Sequence, residues 1–494
     1  MAEHFDIAVV GTGFAGLGTA IRLKQEGMTD FVVLERGADV GGTWRDNTYP
    51  GCQCDVPSHL YSFSFAPNPK WSRAFSLQPE IWDYLRGCAD RFGVRPFIRF
   101  NHAVTMASWD PAAELWRIQT SGGDFTARVL VAGMGGLSEP SIPPLAGLES
   151  FKGTYFHSAT WNHDHDLKGR RVAVIGTGAS SIQFIPRIQP EVGALHLYQR
   201  TPPWIMPHPD RALRDWAHRL YARFPAAQRG VRDLIYWSRE SFVPFFVNEK
   251  LAGVPRRIAM QHLRSQVSDP DLRAKLTPNY QVGCKRILIS NDYYPALQQP
   301  NVEVVTDGVK EIREHSIVST DGTEREVDTI IFGTGFHVTD SPFAERFKGR
   351  NGQLMADVFQ GSPQAHRGTT VAGFPNLFVL LGPNTGLGHT SVVVMVEAQI
   401  RYVLDSLKFM ARQGVTSVEV KPEVQQAYNA QVQADLKDTV WNAGGCASWY
   451  LDASGRNTTL WPTYTFRYAR QMRKFDPAEY VLRCGTSVSE EVAA

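Results

Sequence analysis

A chain of 494 residues makes room for two to three domains at roughly 150 residues each. Its 51 Lys+Arg against 49 Asp+Glu leave a net charge of +2, which gives no electrostatic footprint for nucleic acid or an acidic membrane surface. Hydrophobic residues at 43% and charged residues at 20% exclude a disordered chain, and no apolar run approaches the ~20 residues of a membrane span.

In chain order, FDIAVV predicts a short strand, GTGFAG a glycine-rich turn, LGTAIRLKQEG an amphipathic helix and FVVLE a second strand ending in an acid. Together they make a βαβ unit over residues 5–40. The stretch before it, beginning MAEHF, has no basic leader or cleavage site. SEPSIPPLAG (138–147) has linker composition. A near copy of the first unit then begins around Arg170, with RVAVIGTGASSIQFIPRI followed by LHLYQRTP. After Pro202 the alternation stops, and residues 210–275 show the mostly helical spacing of an inserted subdomain. Strand-like text returns over 302–336, NLFVLLGPNTGLGHTS (376–391) reads as a strand entering a glycine loop, and 392–416 suits a helix. The tail after about Cys484 is expected to fray. VVVMV (392–396) and FVPFF (242–246) are core-sized runs.

The six cysteines, Cys52, Cys54, Cys88, Cys284, Cys446 and Cys484, contain no C-x-x-C pair and no metal-ligand spacing. They are expected to be reduced thiols of a cytoplasmic protein that binds no metal.

Gly11, Gly13 and Gly16 form G-x-G-x-x-G between a strand and a helix. The first glycine permits the tight turn, the second a close backbone approach to a pyrophosphate, and the third tight helix–strand packing. Glu35 lies nineteen residues beyond Gly16, at the end of the second strand, where a carboxylate can accept hydrogen bonds from ribose hydroxyls. The second unit reads G-x-G-x-x-S at Gly176, Gly178 and Ser181, and its corresponding position carries Arg200, followed by Thr201. A carboxylate repels a 2′-phosphate and an arginine pairs with it, so the first unit is read as an FAD site and the second as an NADPH site. Ala15 in the first turn, and Thr177, Ala179, Ser180 and Gln183 in the second, complete the expected cofactor-binding sets. A chain holding both cofactors is a reductase or a monooxygenase. Without a redox-spaced cysteine pair, the weight falls on oxygen chemistry.

Two longer patterns then carry a resemblance. Phe151, Gly153, His157 and Trp161 fit F-x-G-x-x-x-H-x-x-x-W, followed by Asn162. Gly42, Trp44, Tyr49, Pro50, Gly51 and Asp55 fit G-x-W-x-x-x-x-[F/Y]-P-G-x-x-x-D. With these patterns, and with Gly333-Thr334-Gly335 near the return to the first domain, the chain resembles the type I Baeyer–Villiger monooxygenases along essentially its whole length. That family is related to the flavin-containing monooxygenases, and its first pattern usually ends in Pro or Asp where this chain has Asn162.

The resemblance implies an α/β fold of two Rossmann-like domains. Residues 1–138 and 339–494 would bind FAD, 139–205 and 283–338 would bind NADP, and 206–282 would form a helical insertion. It implies Arg286, in CKRILISNDYY, as the active-site arginine, with Asp55 as its carboxylate partner. Lys285 joins Arg200 and Thr201 at the 2′-phosphate, and Thr43, Trp44, Tyr61 and Val104 are expected to touch FAD. His157 and Trp161 would serve a hinge. His389 would approach the flavin or hydrogen-bond within its loop, and Trp441, Trp449 and Tyr450 would line a substrate entrance or pack in the core. The implied reaction uses NADPH and O₂ to insert one oxygen beside a ketone carbonyl, through a C4a-peroxyflavin, giving an ester or lactone; sulfides are a second substrate class. Two alternatives stay open: an N- or S-oxygenating enzyme without ketone activity, and a non-catalytic FAD/NADPH redox sensor. The partners expected are small molecules and O₂, and the chain is expected to be a monomer or weak homodimer.

Overall fold

In the computed structural model, which describes residues 2–248, 251–340 and 342–484, two separate parallel sheets form around the two glycine turns. β1 (Glu3–Val10) lies between β2 (Phe31–Leu34) and β6 (Gly123–Ala132), parallel to both. β3 (Ile98–Arg99) extends the β2 side. On the other side, β4 (Val104–Asp110) and β5 (Leu115–Thr120) form an antiparallel extension with β6. β6 shows how topology selects side chains. Its first half, paired with β5, alternates buried and exposed residues, as a sheet with one wet face requires. Its last four residues, held between neighbours in the parallel part, are all buried.

The second sheet is entirely parallel. β7 (Thr154–His157), β8 (Arg171–Ile175) and β9 (Ala194–Tyr198) come from before the insertion. The short β10 (Ile205–Met206) and β11 (Leu288–Ile289) pair across the insertion's base. β12 (Val302–Val305), a three-stranded meander of β13 (Val309–Arg313), β14 (Ser316–Ser319) and β15 (Glu324–Glu326), and β16 (Thr329–Phe332) follow it. The sheet order is β12-β9-β8-β16-β7.

Between β10 and β11 the expected helices are present, among them Asp215–Arg223, Pro225–Glu240, Gly253–Gln266 and Pro270–Lys275. Pro begins two of these helices, where its missing N–H costs no intrahelical bond. Asp269 caps the last, accepting from the Asp271 amide at 3.0 Å. The chain then returns to the first sheet through β17 (Phe347–Lys348) and β18 (Leu377–Val379), the latter beside β6. The helix expected over 392–416 spans Val392–Gln413. Gly414 stops it in a left-handed conformation (φ 64°), and β19 (Val415–Val420) begins at once, pairing with β20 (Tyr480–Cys484). The expected frayed tail lies outside the described residues. No helix among the described residues is long and apolar enough to cross a membrane.

The two chain crossings between the sheets run side by side. The Ser141 amide donates to the Gly335 carbonyl at 2.9 Å, the His337 amide to the Glu139 carbonyl at 2.9 Å, and the Thr334 hydroxyl to the Ser141 carbonyl at 2.5 Å.

The expectation of reduced thiols is corrected at two positions. Cys284 and Cys446, 162 residues apart in sequence, form a disulfide with Cα atoms 6.2 Å apart. Two distant loops meet there, which no local spacing announces. Cys52, Cys54 and Cys88 are buried free thiols and Cys484 is an exposed one.

Candidate active site

The first glycine turn is closed by its own packing. The helix Phe14–Gln25 approaches the strand end so nearly that a Cβ on Gly16 would collide with the Gly11 carbonyl oxygen. Ala15 is buried in its first turn. That helix begins at Gly13 with no capping side chain and no acid in its first turn, which leaves its N-terminal amides and positive dipole end available to an anion. Gly42 packs on Gly13, and the one-turn helix Thr43–Asp46 starts there with Thr43 exposed and Trp44 buried. Trp44 Nε1 donates to the Tyr61 hydroxyl at 3.1 Å, and Tyr61 meets the Phe14 ring edge-on at 5.1 Å. Burial holds the Tyr61 phenol protonated, its pKa raised.

Glu35 follows β2 as expected, and it is more heavily engaged than its spacing suggested. Its Oε2 accepts from the Thr12 amide (2.9 Å) and hydroxyl (2.6 Å), and its Oε1 from the Gly37 amide (2.7 Å) and Arg45 Nη1 (2.8 Å). The carboxylate thus braces the turn as well as terminating the strand. Val104 opens β4, two residues beyond His102, whose amide donates to the Glu35 carbonyl at 2.8 Å.

The second turn is open. Gly178 and Ala179 are exposed and Gly176, Thr177 and Ser180 are half-buried. Ser181 starts the helix Ser181–Ile188, which likewise has no cap and no acid in its first turn. The Ser181 hydroxyl is buried without a hydrogen-bond partner and faces Gly333, where any Cβ would collide with it. Thr177 donates its hydroxyl to the Thr201 carbonyl at 3.1 Å. Arg200 is exposed just past β9. Lys285 lies near enough to feel it: burial first, and then the Arg200 charge, lower the Lys285 pKa. The Lys285 ammonium also stands 5.2 Å above the Tyr280 ring. Two cations pressed together with no carboxylate between them suit a dianion.

Gln183 faces the other domain instead of the turn. Its amide nitrogen donates to the Gln53 carbonyl at 2.9 Å, and its Oε1 accepts from the Gln53 amide (3.2 Å) and the Tyr49 hydroxyl (3.0 Å). Gly51 makes this docking possible. It adopts φ 80°, and a Cβ there would lie 2.8 Å from the Gln183 carbonyl oxygen.

Between the two units lies the pair singled out by the resemblance. Arg286 Nε donates to Asp55 Oδ2 and Nη2 to Oδ1, each at 2.7 Å, a bidentate fork. Nη1 reaches the Leu387 carbonyl at 3.4 Å, in the glycine loop after β18. Both side chains are half-buried. The Asp55 charge outweighs burial and raises the Arg286 pKa, so the guanidinium stays charged throughout the physiological range.

His157 and Trp161 pack in the crossing between the sheets. His157 is buried, accepts the Ala159 amide on Nδ1 at 3.1 Å, and meets Phe336 edge-on; burial lowers its pKa to about 4. Trp161 lies against Phe156 and Phe184. His389 is buried with its Nε2 3.8 Å from Glu240 Oε1. Glu240 also accepts from the Thr465 amide at 3.0 Å and from its hydroxyl. Sequence reasoning missed Glu240, whose local text reads only as the end of an arginine-rich helix. Trp441 and Tyr450 are buried, while Trp449 is exposed.

Each turn therefore fits a dinucleotide: an uncapped helix N-terminus, a backbone no Cβ could crowd, and an orphaned hydroxyl at the second. Two such Rossmann-like units, with a fixed cation at their junction, define a two-dinucleotide oxidoreductase. The family model described as flavin-binding monooxygenase-like matches residues 4–412. A protein of Streptomyces coelicolor named Baeyer-Villiger monooxygenase is 52% identical over 484 residues, covering 97% of this chain and 93% of its own length. Among solved structures, the OTEMO complex with FAD and NADP superposes with a TM-score of 0.88 at 27% identity, covering 98% of this chain and all of that one. An ε-caprolactone-bound cyclohexanone monooxygenase gives a TM-score of 0.85 at 26% identity and the same coverage. The chain belongs to the flavin-binding monooxygenase-like family, in its Baeyer–Villiger branch.

Proposed function

We propose that this protein uses NADPH and O₂ to insert one oxygen atom beside a ketone carbonyl, releasing an ester or lactone, NADP⁺ and water, and that thioethers are a second substrate class. The observation that carries this reading is the Asp55–Arg286 fork at the junction of the two units, with Lys285 and Arg200 on its NADP side. FAD would rest on the Gly11–Gly16 turn beside Trp44 and Tyr61, and NADPH on the Gly176–Ser181 turn. When bound, the two cofactors supply the electrons and the activation of oxygen.

The chain's own residues do the rest. Arg200 and Lys285 hold the 2′-phosphate, with Thr201 beside them. Arg286 presents a permanent positive charge where negative charge develops during oxygen transfer, and Asp55 fixes the plane of the guanidinium in advance, so little reorganisation accompanies the reaction. Packed aromatic walls keep water from the reacting atoms. Glu35 braces the FAD turn, and His157 and Trp161 serve the crossing between domains.

The test is a panel of cyclic ketones and thioethers with NADPH under ¹⁸O₂. Esters carrying one labelled oxygen, formed in proportion to NADPH consumed, are expected. Sulfoxides without esters would replace the ketone reading with the S-oxygenating one, and hydrogen peroxide equal to NADPH with no organic product would overturn both.

A further inference from the structure

The disulfide joins the two segments that matter most to the proposed chemistry. Cys284 immediately precedes Lys285 and Arg286, in a stretch that has neither helix nor strand between Lys275 and Leu288. No ladder or helical frame holds the arginine from behind. Cys446 lies in the loop that runs on to Trp449 and Tyr450. Tyr450 is buried within electrostatic reach of Arg286 and contributes to raising its pKa, after Asp55 and against burial.

Around the disulfide the two segments touch closely. The Gln281 amide donates to the Gly444 carbonyl at 3.1 Å. A Cβ on Gly444 would stand 2.6 Å from that of Cys284. Phe246 stacks on Trp441 at 5.3 Å. Of the two sulfur-bearing residues, Cys284 is buried and Cys446 is half-buried, so an external thiol meets Cys446 first.

We propose that the Cys284–Cys446 disulfide is a positioning device for Lys285 and Arg286, and that a dithiol reductant releases it. This rests on the phosphate and oxygen-transfer roles given above to those two residues. In the release step, a thiolate of the dithiol attacks Cys446 Sγ and forms a mixed disulfide; Cys284 leaves as a thiolate and takes up a proton. The dithiol's second thiol then displaces Cys446, which is protonated in turn. The protein gains two electrons and two protons, and the reductant is left as its own cyclic disulfide. Reduction removes the covalent tether behind Lys285, so the phosphate contact and the guanidinium both lose registry.

The experiment begins with alkylation of the denatured protein. Four of the six cysteines should be labelled without reductant and all six after it, read by intact mass. Six labelled at the outset means that the bond does not form, and overturns the proposal. The FAD-loaded enzyme is then treated with dithiothreitol, beside Cys446→Ser and a Cys484→Ser control. Reduction and Cys446→Ser should each weaken NADP⁺ binding roughly tenfold, the scale expected when a binding group moves by about an ångström. Both should also raise the share of NADPH appearing as hydrogen peroxide. FAD content should hold, and reductant should do nothing further to Cys446→Ser. Reoxidation should restore the wild type, and the control should behave as wild type does. NADP⁺ affinity and peroxide share that stay within twofold after reduction overturn the proposal. Loss of NADP⁺ affinity on reduction in a protein that converts no ketone supports the device while refuting the assigned reaction.

Discussion

Asp55 and Arg286 lie 231 positions apart in sequence and meet through two parallel 2.7 Å hydrogen bonds. The carboxylate comes from the loop of the first domain and the guanidinium from the return of the second, so the pair forms only when both are folded and docked. In Arg286→Ala, NADPH should still reduce the flavin while ester formation falls by about 10²–10³, the usual effect of losing one electrostatic contributor to a transition state. Stability should change by only about 1 kcal/mol, because both side chains keep water contact. Stopped-flow flavin reduction beside product yield reads the two effects, and a normal ester yield refutes the assignment.

The cation pair at the second turn predicts a cofactor preference. Arg200→Ala removes a charge-assisted contact worth roughly 1.5–3 kcal/mol, so the KM for NADPH should rise about tenfold to a hundredfold. The KM for NADH should change little. Equal shifts for both nucleotides would remove Arg200 from the phosphate.

Two buried histidines set an acid limit. Burial lowers His157 and His59 each to about 4 from an ordinary value of 6.5, with the Arg232 charge adding to the effect at His59. Folded His157 therefore stays neutral down to about 4, while the unfolded chain takes up its proton near 6.5. As pH falls through that window the unfolded state gains protons that the folded state refuses, and stability drops by roughly 3 kcal/mol per histidine. Denaturant midpoints measured from pH 7 to pH 4 should decline, and His157→Gln should flatten the slope. A slope unchanged by that substitution contradicts the reading.

Glu240 anchors the helical insertion to the C-terminal segment. Glu240→Ala leaves a buried Thr465 amide without its acceptor and His389 without its neighbour, a loss of about 2–4 kcal/mol. Chemical denaturation should register it, and Glu240→Gln, which keeps an acceptor for Thr465, should recover part. If alanine costs nothing, the cluster is not a brace.

Much of this architecture was legible because the relevant physics is local. Gly16 must be glycine for reasons contained in six residues of turn, and the contrast between Glu35 and Arg200 follows from a fixed strand-to-turn distance repeated twice. The helical insertion announced itself through its spacing. Asp55 and Arg286 carry no local sign of each other, and only the longer patterns brought them forward. The Cys284–Cys446 bond, the Gln183 docking contact and the Glu240–His389 pair were not legible, since each joins loops whose approach is decided by how whole domains pack. Gln183 is instructive: its place after a glycine turn suggested a cofactor contact, yet the helix turns its amide toward Gln53 and Tyr49.

The paired crossings at Glu139–Ser141 and Gly335–His337 have a mechanical meaning. Two connections laid side by side and hydrogen-bonded to each other leave the joined bodies one easy degree of freedom, a swing about the line through both crossings, and resist twisting or sliding. The Gln183 dock and the Asp55–Arg286 fork both lie off that line, where a swing would part or close them together. The molecule is built like a door with two latches, so whatever opens one strains the other.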